Sequence, residues 1–209
     1  MFIEPNFHLK PGTGWIEVIC GSMFSGKTEE LMRRINRAKY AKQEVITFKP
    51  SVDDRYHKQH IVSHNANQMH SIPVENSAEL LKKAIEKEVD LVGIDEVQFF
   101  DEGIVDVCNE LANRGMRVIV AGLDMDYKGK PFGPMPFLLA IAEFVTKLHA
   151  ICMKSGELAN YSYRIVASAD QVVLGETEAY EARSRRHFFG LDDKKEEKIL
   201  IEENQNIDK

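Results

Sequence analysis

The sequence predicts an α/β protein, built on a parallel sheet with flanking helices and followed by a small lobe of β-ribbons. Two observations carry this prediction. Between residues 15 and 147, continuous apolar runs alternate with amphipathic stretches. Such alternation is typical of parallel sheets that are covered by helices on both faces. From residue 148 onward, short apolar runs are instead separated by turn residues, and no helix is obvious.

The elements of the first part follow from apolar periodicity and from start and stop signals. Asn76 with Glu79 three residues later resembles a capping box. Gly115 is placed to close the helix that Asp101 is predicted to cap. The polar stretch 51–70 is expected to form a loop or ribbon over a site. In chain order we expect a strand over 16–20, a helix over 28–43, a strand over 44–48 stopped by Lys49-Pro50, a helix after Asn76, a strand over 90–94, a helix after Asp101, a strand over 116–121 and a helix over 134–145.

The second part is predicted to hold short strands over 148–152, 161–166 and 171–174. The change of character divides the chain into four predicted regions. These are an N-terminal arm (1–14), an α/β domain (15–147), a small lobe (148–190) and a charged tail (191–209) that is predicted to be disordered.

Composition limits the kinds of partner. A chain of 209 residues with 44% hydrophobic content can bury one substantial core. Its net charge of −6 argues against a broad nucleic-acid-binding face, so we expect no nucleic-acid partner. No apolar run approaches the ~20 residues that span a bilayer, and residues 1–14 lack the apolar segment of a signal peptide. We therefore expect no membrane partner. Cys20, Cys108 and Cys152 do not show the regular spacing of a disulfide framework, so we also expect a reduced, cytoplasmic protein.

A glycine-rich segment between the first predicted strand and helix has the spacing of a phosphate-binding P-loop. Gly21 and Gly26 let the backbone turn its N–H groups toward a polyphosphate at the positive end of the helix. Lys27 supplies an ammonium for the β- and γ-phosphates, and the Thr28 hydroxyl suits a magnesium ion. The segment predicts nucleoside triphosphate binding on a RecA-like sheet. Its residues are Gly21, Ser22, Met23, Phe24, Ser25, Gly26, Lys27 and Thr28.

Two acidic residues follow the predicted strand 90–94. Asp95 stands where the sheet of a P-loop protein carries a carboxylate that orients magnesium. Glu96 has several interpretations on position alone. It would activate water in an ATPase, accept the proton of a substrate hydroxyl in a kinase, or merely cap a helix or face solvent.

Five segments occur in order along the chain: Gly21–Arg34, Asp53-Asp54-Arg55-Tyr56, Gly93–Phe100, Ala121-Gly122-Leu123-Asp124 and Lys130-Pro131-Phe132-Gly133. Together they closely resemble the type II thymidine kinase family. The resemblance runs from about Gly14 to His187 with the spacing preserved. It implies transfer of the ATP γ-phosphate to the 5′-hydroxyl of thymidine or deoxyuridine, which gives dTMP and ADP for nucleotide salvage and DNA precursor synthesis.

The resemblance also implies roles for the residues. Glu96 would be the catalytic base, and Arg55 would reach the transferring phosphoryl group together with Lys27; the alternative for Arg55 is a structural salt bridge. Thr28 and Asp95 would hold Mg²⁺. Beside the eight P-loop residues, the nucleotide-binding set would comprise Asp53, Asp54, Arg55, Asp95 and Gln98.

The nucleoside would be covered by a loop of the small lobe, the lasso, which holds the base largely through main-chain groups. Its matching segment is Gln171-Val172-Val173-Leu174-Gly175, with Tyr180 beyond it. Without the resemblance, Met23, Leu123 and Phe99 would be read as ordinary core residues. The residues expected to pack around base and sugar are Met23, Phe99, Leu123, Tyr127 and Phe132.

The chain departs from the family pattern at a structural zinc site. The matching positions are Cys152, Ser155, Ser184 and His187, and a serine hydroxyl is a poor zinc ligand beside thiolate or imidazole. We therefore expect ATP and Mg²⁺ but no zinc. The resemblance further implies a homotetramer and feedback inhibition by thymidine triphosphate (dTTP).

Other functions remain open from the residues alone. A kinase with a broader range of deoxynucleosides would accept deoxycytidine at a comparable rate. A P-loop ATPase that drives a partner would hydrolyse ATP without a nucleoside, and a binding module would have lost activity.

Overall fold

The computed structural model describes residues 14–51, 71–166 and 178–191. Nearly all of the predicted arm and tail, most of the stretch 51–70 and the predicted strand 171–174 lie outside these residues. Within them, no helix has the length and apolar content needed to cross a membrane.

Six strands form one sheet in the order β3-β2-β4-β5-β1-β6, and every neighbouring pair is parallel. The predicted α/β fold is therefore confirmed. β5 is inserted between β1, which leads into the P-loop, and β4, which leads into Asp95. The sheet strands are β1 (Trp15–Gly21), β2 (Val45–Pro50), β3 (Ile72–Val74), β4 (Leu91–Ile94), β5 (Arg117–Gly122) and β6 (Phe144–Leu148), and the helices are α1 (Lys27–Tyr40), α2 (Ser77–Ile85), α3 (Ile104–Asn113) and α4 (Met135–Ile141).

Apolar side chains cover both faces of the sheet. On one face, Leu31 and Ile35 of α1 pack with Ile19 and Ile119 from the central strands. On the other face, a larger cluster joins the sheet to α2, α3 and α4. Successive residues of a strand point to opposite faces, so β1 and β5 must be apolar nearly throughout.

The starts of two helices share one carboxylate. The Asn76 side chain accepts a hydrogen bond from the Glu79 N–H at 2.9 Å, as predicted. The Glu79 carboxylate in turn accepts a hydrogen bond from the Glu75 N–H at 2.7 Å. Asp101 was expected to cap α3, but Gly103 occupies that position. The Asp101 carboxylate accepts the Gly103 N–H at 3.0 Å and the N–H and hydroxyl of Ser77, so it joins the starts of α2 and α3.

The structure corrects several predicted boundaries. The helix predicted over 134–145 ends at Ile141, because Phe144 and Val145 pair with β1 as the edge strand β6. β2 runs through Lys49-Pro50, since both pair with β3, a strand that was not predicted. In the second part, the strand predicted over 148–152 is split, because Leu148 ends β6.

Two antiparallel hairpins and a short helix follow the sheet. The small lobe, expected to lack helices, ends in a single turn of helix. Its core is made of small side chains, Ala150, Cys152, Ala159 and Ala182. These elements are β7 (Ala150–Ile151), β8 (Leu158–Ala159), β9 (Tyr161–Arg164), β10 (Tyr180–Arg183) and α5 (Arg185–Phe188).

Candidate active site

The P-loop joins β1 to α1 in a backbone conformation that its glycines permit. Gly21 has φ +146° and Gly26 φ +84°, and a Cβ at Gly21 would lie 2.3 Å from the Leu148 carbonyl oxygen. Lys27 is only 8% exposed and donates from Nζ to the Ser22 carbonyl at 2.9 Å. Burial lowers the pKa of Lys27, against the opposing effect of Glu96 and Asp95. The ammonium is thus held inside the loop, where a phosphate would restore its solvation.

Asp95 lies at the carboxyl end of β4 and faces the P-loop. It is 3% exposed, and its Oδ2 accepts the Thr28 hydroxyl at 3.1 Å. Burial, followed by the charge of Glu96, raises the pKa of Asp95 from 3.8 to about 7. A buried carboxylate with a raised pKa is typical of a site that a cation completes.

The two oxygen groups at this point suit magnesium. Mg²⁺ prefers hard oxygen ligands, and it commonly takes one or two from the protein and the rest from phosphates and water. Thr28 and Asp95 supply a hydroxyl and a carboxylate that are already in contact. The donor set therefore fits the ion that the fold implies.

Glu96 occupies a strained backbone conformation beside Asp95. Its φ of +50° and ψ of +39° lie in the left-handed region, which is uncommon for a residue with a side chain. Its N–H donates to Asp95 Oδ1 at 3.0 Å, and a 3₁₀ turn over Val97–Phe99 follows. Such strain persists only where the surroundings enforce it, and it is concentrated at functional sites.

The small lobe contacts the P-loop directly. The Met23 N–H donates to the hydroxyl of Ser162 on β9 at 3.0 Å, and Ser22 lies beside the Ala159 carbonyl. Ser162 is buried and was not among the predicted site residues, because no local pattern marks a serine that meets a distant loop.

Two pairs of the predicted nucleoside-binding residues meet in the structure. The rings of Phe99 and Phe132 are in edge-to-face contact, with centroids 5.5 Å apart. Tyr127 and Tyr180 are joined by Arg164, whose guanidinium lies 3.5 Å from the Tyr127 ring centroid and donates to the Tyr180 hydroxyl at 2.8 Å. Sequence reasoning missed Arg164.

Other predicted residues take different positions or are not described. The Leu123 N–H donates to Gln98 Oε1 at 3.0 Å, so Leu123 lies beside the Glu96 turn. The P-loop residues Phe24 and Ser25 are present, with Phe24 at φ +63° and the Ser25 hydroxyl on the Ser22 carbonyl. The remaining predicted residues, Asp53, Asp54, Arg55, Gln171, Val172, Val173, Leu174 and Gly175, lie outside the described residues.

The chain is similar in sequence to a known protein family. A family profile described as thymidine kinase matches residues 14–188. The chain belongs to the thymidine kinase family. It is 57% identical over 185 residues to a thymidine kinase of Bacteroides fragilis (strain YCH46), which covers 88% of this chain and 92% of that protein. A thymidine kinase of Rhodothermus sp. (strain ITI 518) is 56% identical over 175 residues, covering 84% and 81%.

Further matches extend the comparison. A thymidine kinase of Porphyromonas gingivalis (strain W83) is 57% identical over 183 residues, covering 88% of this chain and 89% of that protein. Among solved structures, a DNA replication initiation factor aligns with 64% of this chain and 40% of its own at 18% identity and a TM-score of 0.37. That similarity carries no argument about function.

In this family member, the four positions that match the zinc site do lie together. Cys152 Sγ is 4.0 Å from His187 Nδ1, and the Ser184 hydroxyl is 3.1 Å from the same nitrogen. The Ser155 hydroxyl donates to Glu157 at 3.0 Å. Only one thiol and one imidazole are present, whereas structural zinc needs four strong ligands in closed geometry, so the donor set does not fit zinc. Among the residues described, no three His, Cys, Asp or Glu side chains are grouped to hold a metal ion.

Hydrogen-bond donors surround the Cys152 thiol. Burial raises its pKa, but the Ser155 hydroxyl and the backbone N–H groups of Ser184, Lys154 and Ser155 lower it more strongly, from 9.0 to about 6. These donors stabilise the thiolate form of Cys152.

Proposed function

We propose that this chain transfers the γ-phosphoryl group of ATP to the 5′-hydroxyl of thymidine, giving dTMP and ADP. One observation supports this most: Glu96 is held directly beside Asp95, and Asp95 contacts the P-loop through Thr28. A carboxylate able to accept a proton thus lies next to the groups that hold a triphosphate. Membership in the thymidine kinase family supports the choice of acceptor.

The donor side consists of the P-loop and its neighbours. Backbone N–H groups of the loop and the Lys27 ammonium bind the β- and γ-phosphates and stabilise the charge that moves toward the leaving oxygen. Thr28 and Asp95 hold Mg²⁺, which neutralises phosphate charge when it is bound. Because the Lys27 ammonium is already buried and oriented, little reorganisation accompanies binding.

The acceptor side depends on Glu96. Its carboxylate receives the proton of the 5′-hydroxyl as the phosphoryl group arrives, which is the general-base role of a kinase carboxylate. Arg55 reaches the transferring phosphoryl group, and Asp53 and Asp54 belong to the same nucleotide-binding segment. This second part rests on the family resemblance of Asp53-Asp54-Arg55-Tyr56.

Thymidine binds between aromatic side chains and the lasso. The side chains that pack around base and sugar are Phe99, Phe132, Tyr127, Tyr180, Met23 and Leu123. Main-chain groups of residues 171–175 read the base edge, where thymine presents acceptor, donor and acceptor in turn. Such fixed groups favour thymidine and deoxyuridine over deoxycytidine and purines.

Assembly and regulation follow the family in this proposal. The chain forms a cytoplasmic homotetramer that dTTP inhibits by placing its phosphates in the P-loop and its base under the lasso. The small lobe contains no zinc, and elemental analysis that found about one zinc per chain would overturn this. The net charge of −6 supports a protein without a nucleic-acid partner.

A panel of nucleosides tests the proposal. We expect ATP-dependent phosphorylation of thymidine and deoxyuridine, inhibition by dTTP, and negligible ATP hydrolysis until a nucleoside is added. Comparable rates with deoxycytidine would contradict the narrow specificity. Rapid hydrolysis of ATP alone, without any phosphorylated nucleoside, would contradict the kinase itself.

A further inference from the structure

Gln98 places its buried amide between two parts of the site. The residue is 2% exposed, its Oε1 accepts the Leu123 N–H at 3.0 Å, and its Nε2 donates to Glu96 Oε2 at 2.5 Å. A backbone N–H can only donate, so the amide oxygen must face Leu123. The amide NH₂ group is therefore fixed toward the Glu96 carboxylate.

The surrounding backbone is shaped around this side chain. A Cβ at Gly122 would lie 2.7 Å from Gln98 Oε1, and a Cβ at Gly133 would lie 2.3 Å from the Gln98 carbonyl oxygen. Gly133 also has φ +49°. Two glycines thus leave the space in which Gln98 sits, which indicates that its position is closely determined.

This arrangement fixes the Glu96 carboxylate from two sides. Asp95 holds the strained backbone through the Glu96 N–H, and Gln98 holds one carboxylate oxygen. One amide hydrogen occupies one of about four acceptor sites of the carboxylate, so the oriented group can still accept the proton of an alcohol. Glu96 is only partly buried, so without such contacts its carboxylate could be misplaced. A misplacement of about 1 Å can change a rate by about 100-fold.

We propose that Gln98 is a positioning residue for Glu96, which orients the base and ties it to the loop at Leu123. The inference rests on the proposed function, and it replaces the nucleotide-binding role expected for Gln98 from sequence. Gln98 acts on the rate of phosphoryl transfer through Glu96 and leaves ATP binding to the P-loop.

Two substitutions separate the two halves of the Gln98 amide. Gln98→Met removes both hydrogen bonds at similar length. Gln98→Glu keeps an oxygen for the Leu123 N–H but presents a carboxylate to Glu96 instead of a donor. We expect both variants to lower the single-turnover rate of thymidine phosphorylation by about 10- to 100-fold, with the KM for ATP within about twofold of wild type. If Gln98 only held the Leu123 loop, Gln98→Glu would keep the wild-type rate, and the inference would be wrong.

A double-mutant cycle with Glu96→Gln completes the test. When two residues act as one unit, removing the second has little further effect. We therefore expect Gln98→Met to change the residual rate of the Glu96→Gln enzyme by less than about twofold. An independent loss, or a raised KM for ATP at unchanged rate, would overturn the positioning role alone. A Glu96→Gln enzyme with the wild-type rate would instead overturn the proposed base, and with it this inference.

Discussion

The edge of the sheet that carries the P-loop and Asp95, here called the phosphate edge, differs from the small lobe in how it holds ionisable groups. At the phosphate edge, burial disfavours the charged forms of two residues. It lowers the pKa of Lys27 and raises the pKa of Asp95. In the small lobe, hydrogen bonds lower the pKa of Cys152 to about 6 and so stabilise its charged form. For contrast, burial alone raises the pKa of Cys108, in α3, to about 12.

The difference shows which groups serve stability. Groups whose charged forms are disfavoured in the free protein await a ligand, and here a triphosphate with its cation would supply it. Groups whose charged forms are already satisfied contribute to folding. Burial of these groups at the phosphate edge therefore lowers the stability of the free protein and favours ligand binding. The small lobe has a core of four small side chains, and polar and aromatic contacts stabilise it further.

The largest effect is expected from removing the P-loop charge. Lys27→Met should lower the rate of phosphoryl transfer by at least about 100-fold, because a preorganised cation at the transferring group is lost. The free energy of unfolding should change by less than about 1 kcal/mol, because relief of the burial cost of the Lys27 charge offsets the loss of its hydrogen bond to Ser22. Rate assays and urea unfolding of the nucleotide-free protein measure both. A large loss of stability would show that Lys27 supports the fold, and would contradict the difference between the phosphate edge and the small lobe.

The reverse result is expected in the small lobe from Tyr161, on β9. Its ring is 3% exposed and stacks on Phe188 with centroids 4.4 Å apart. Tyr161→Ala should lower the free energy of unfolding by about 3 kcal/mol, while an ATP analogue still binds with unchanged affinity by calorimetry. The matched control, Tyr161→Phe, keeps the stack and should be near wild type. Equal loss of nucleotide affinity in Tyr161→Ala would mean that the two regions are not separable.

At the phosphate edge, titration of Asp95 should make the free energy of unfolding fall as pH rises. Because the folded pKa of about 7 exceeds the ordinary 3.8, stability is lost as pH rises from about 4 through about 7. Asp95→Asn removes this loss. In metal-free, nucleotide-free protein, the variant should therefore gain stability over wild type as pH rises, by a few kcal/mol at most. A difference that is constant with pH would contradict the burial argument.

The small lobe should show the opposite sign through Cys152. Its folded pKa of about 6 lies below the ordinary 9.0, so its stabilisation is present above pH 9 and is lost as pH falls through about 6. Cys152→Ala should therefore be increasingly destabilised relative to wild type between pH 6 and pH 9. Cys108→Ala is the control. Because the folded pKa of Cys108 lies above the ordinary 9.0, its deficit should stay constant from pH 6 to about pH 8 and then shrink, which is opposite in sign to Cys152→Ala. If the stabilities of the two variants changed with pH in the same way, the thiolate assigned to Cys152 would be wrong.

Much of the phosphate edge could be predicted because its signals are local. The P-loop, the strand before it and Asp95 at the end of β4 follow from spacing and apolar runs, and Asn76 begins α2 as its cap predicts. β6 was mistaken for helix because an apolar stretch after Pro134 does not reveal where pairing with β1 begins.

The contacts that complete the site have no local signal. Ser162 and Arg164 reach the P-loop and the tyrosines only after β9 is placed against the sheet. Gln98 follows Glu96 by two residues, but its amide orientation depends on Leu123 in another loop. Residues such as these are defined by tertiary structure, so composition and periodicity cannot identify them.

The central claim is that Glu96 accepts the proton of the thymidine 5′-hydroxyl. Single-turnover phosphorylation by Glu96→Gln, with ATP-analogue affinity measured on the same preparation, tests it most directly. We expect the rate to fall by about 10²- to 10⁴-fold while nucleotide affinity is kept. A Glu96→Gln enzyme that phosphorylates thymidine at the wild-type rate would contradict the account.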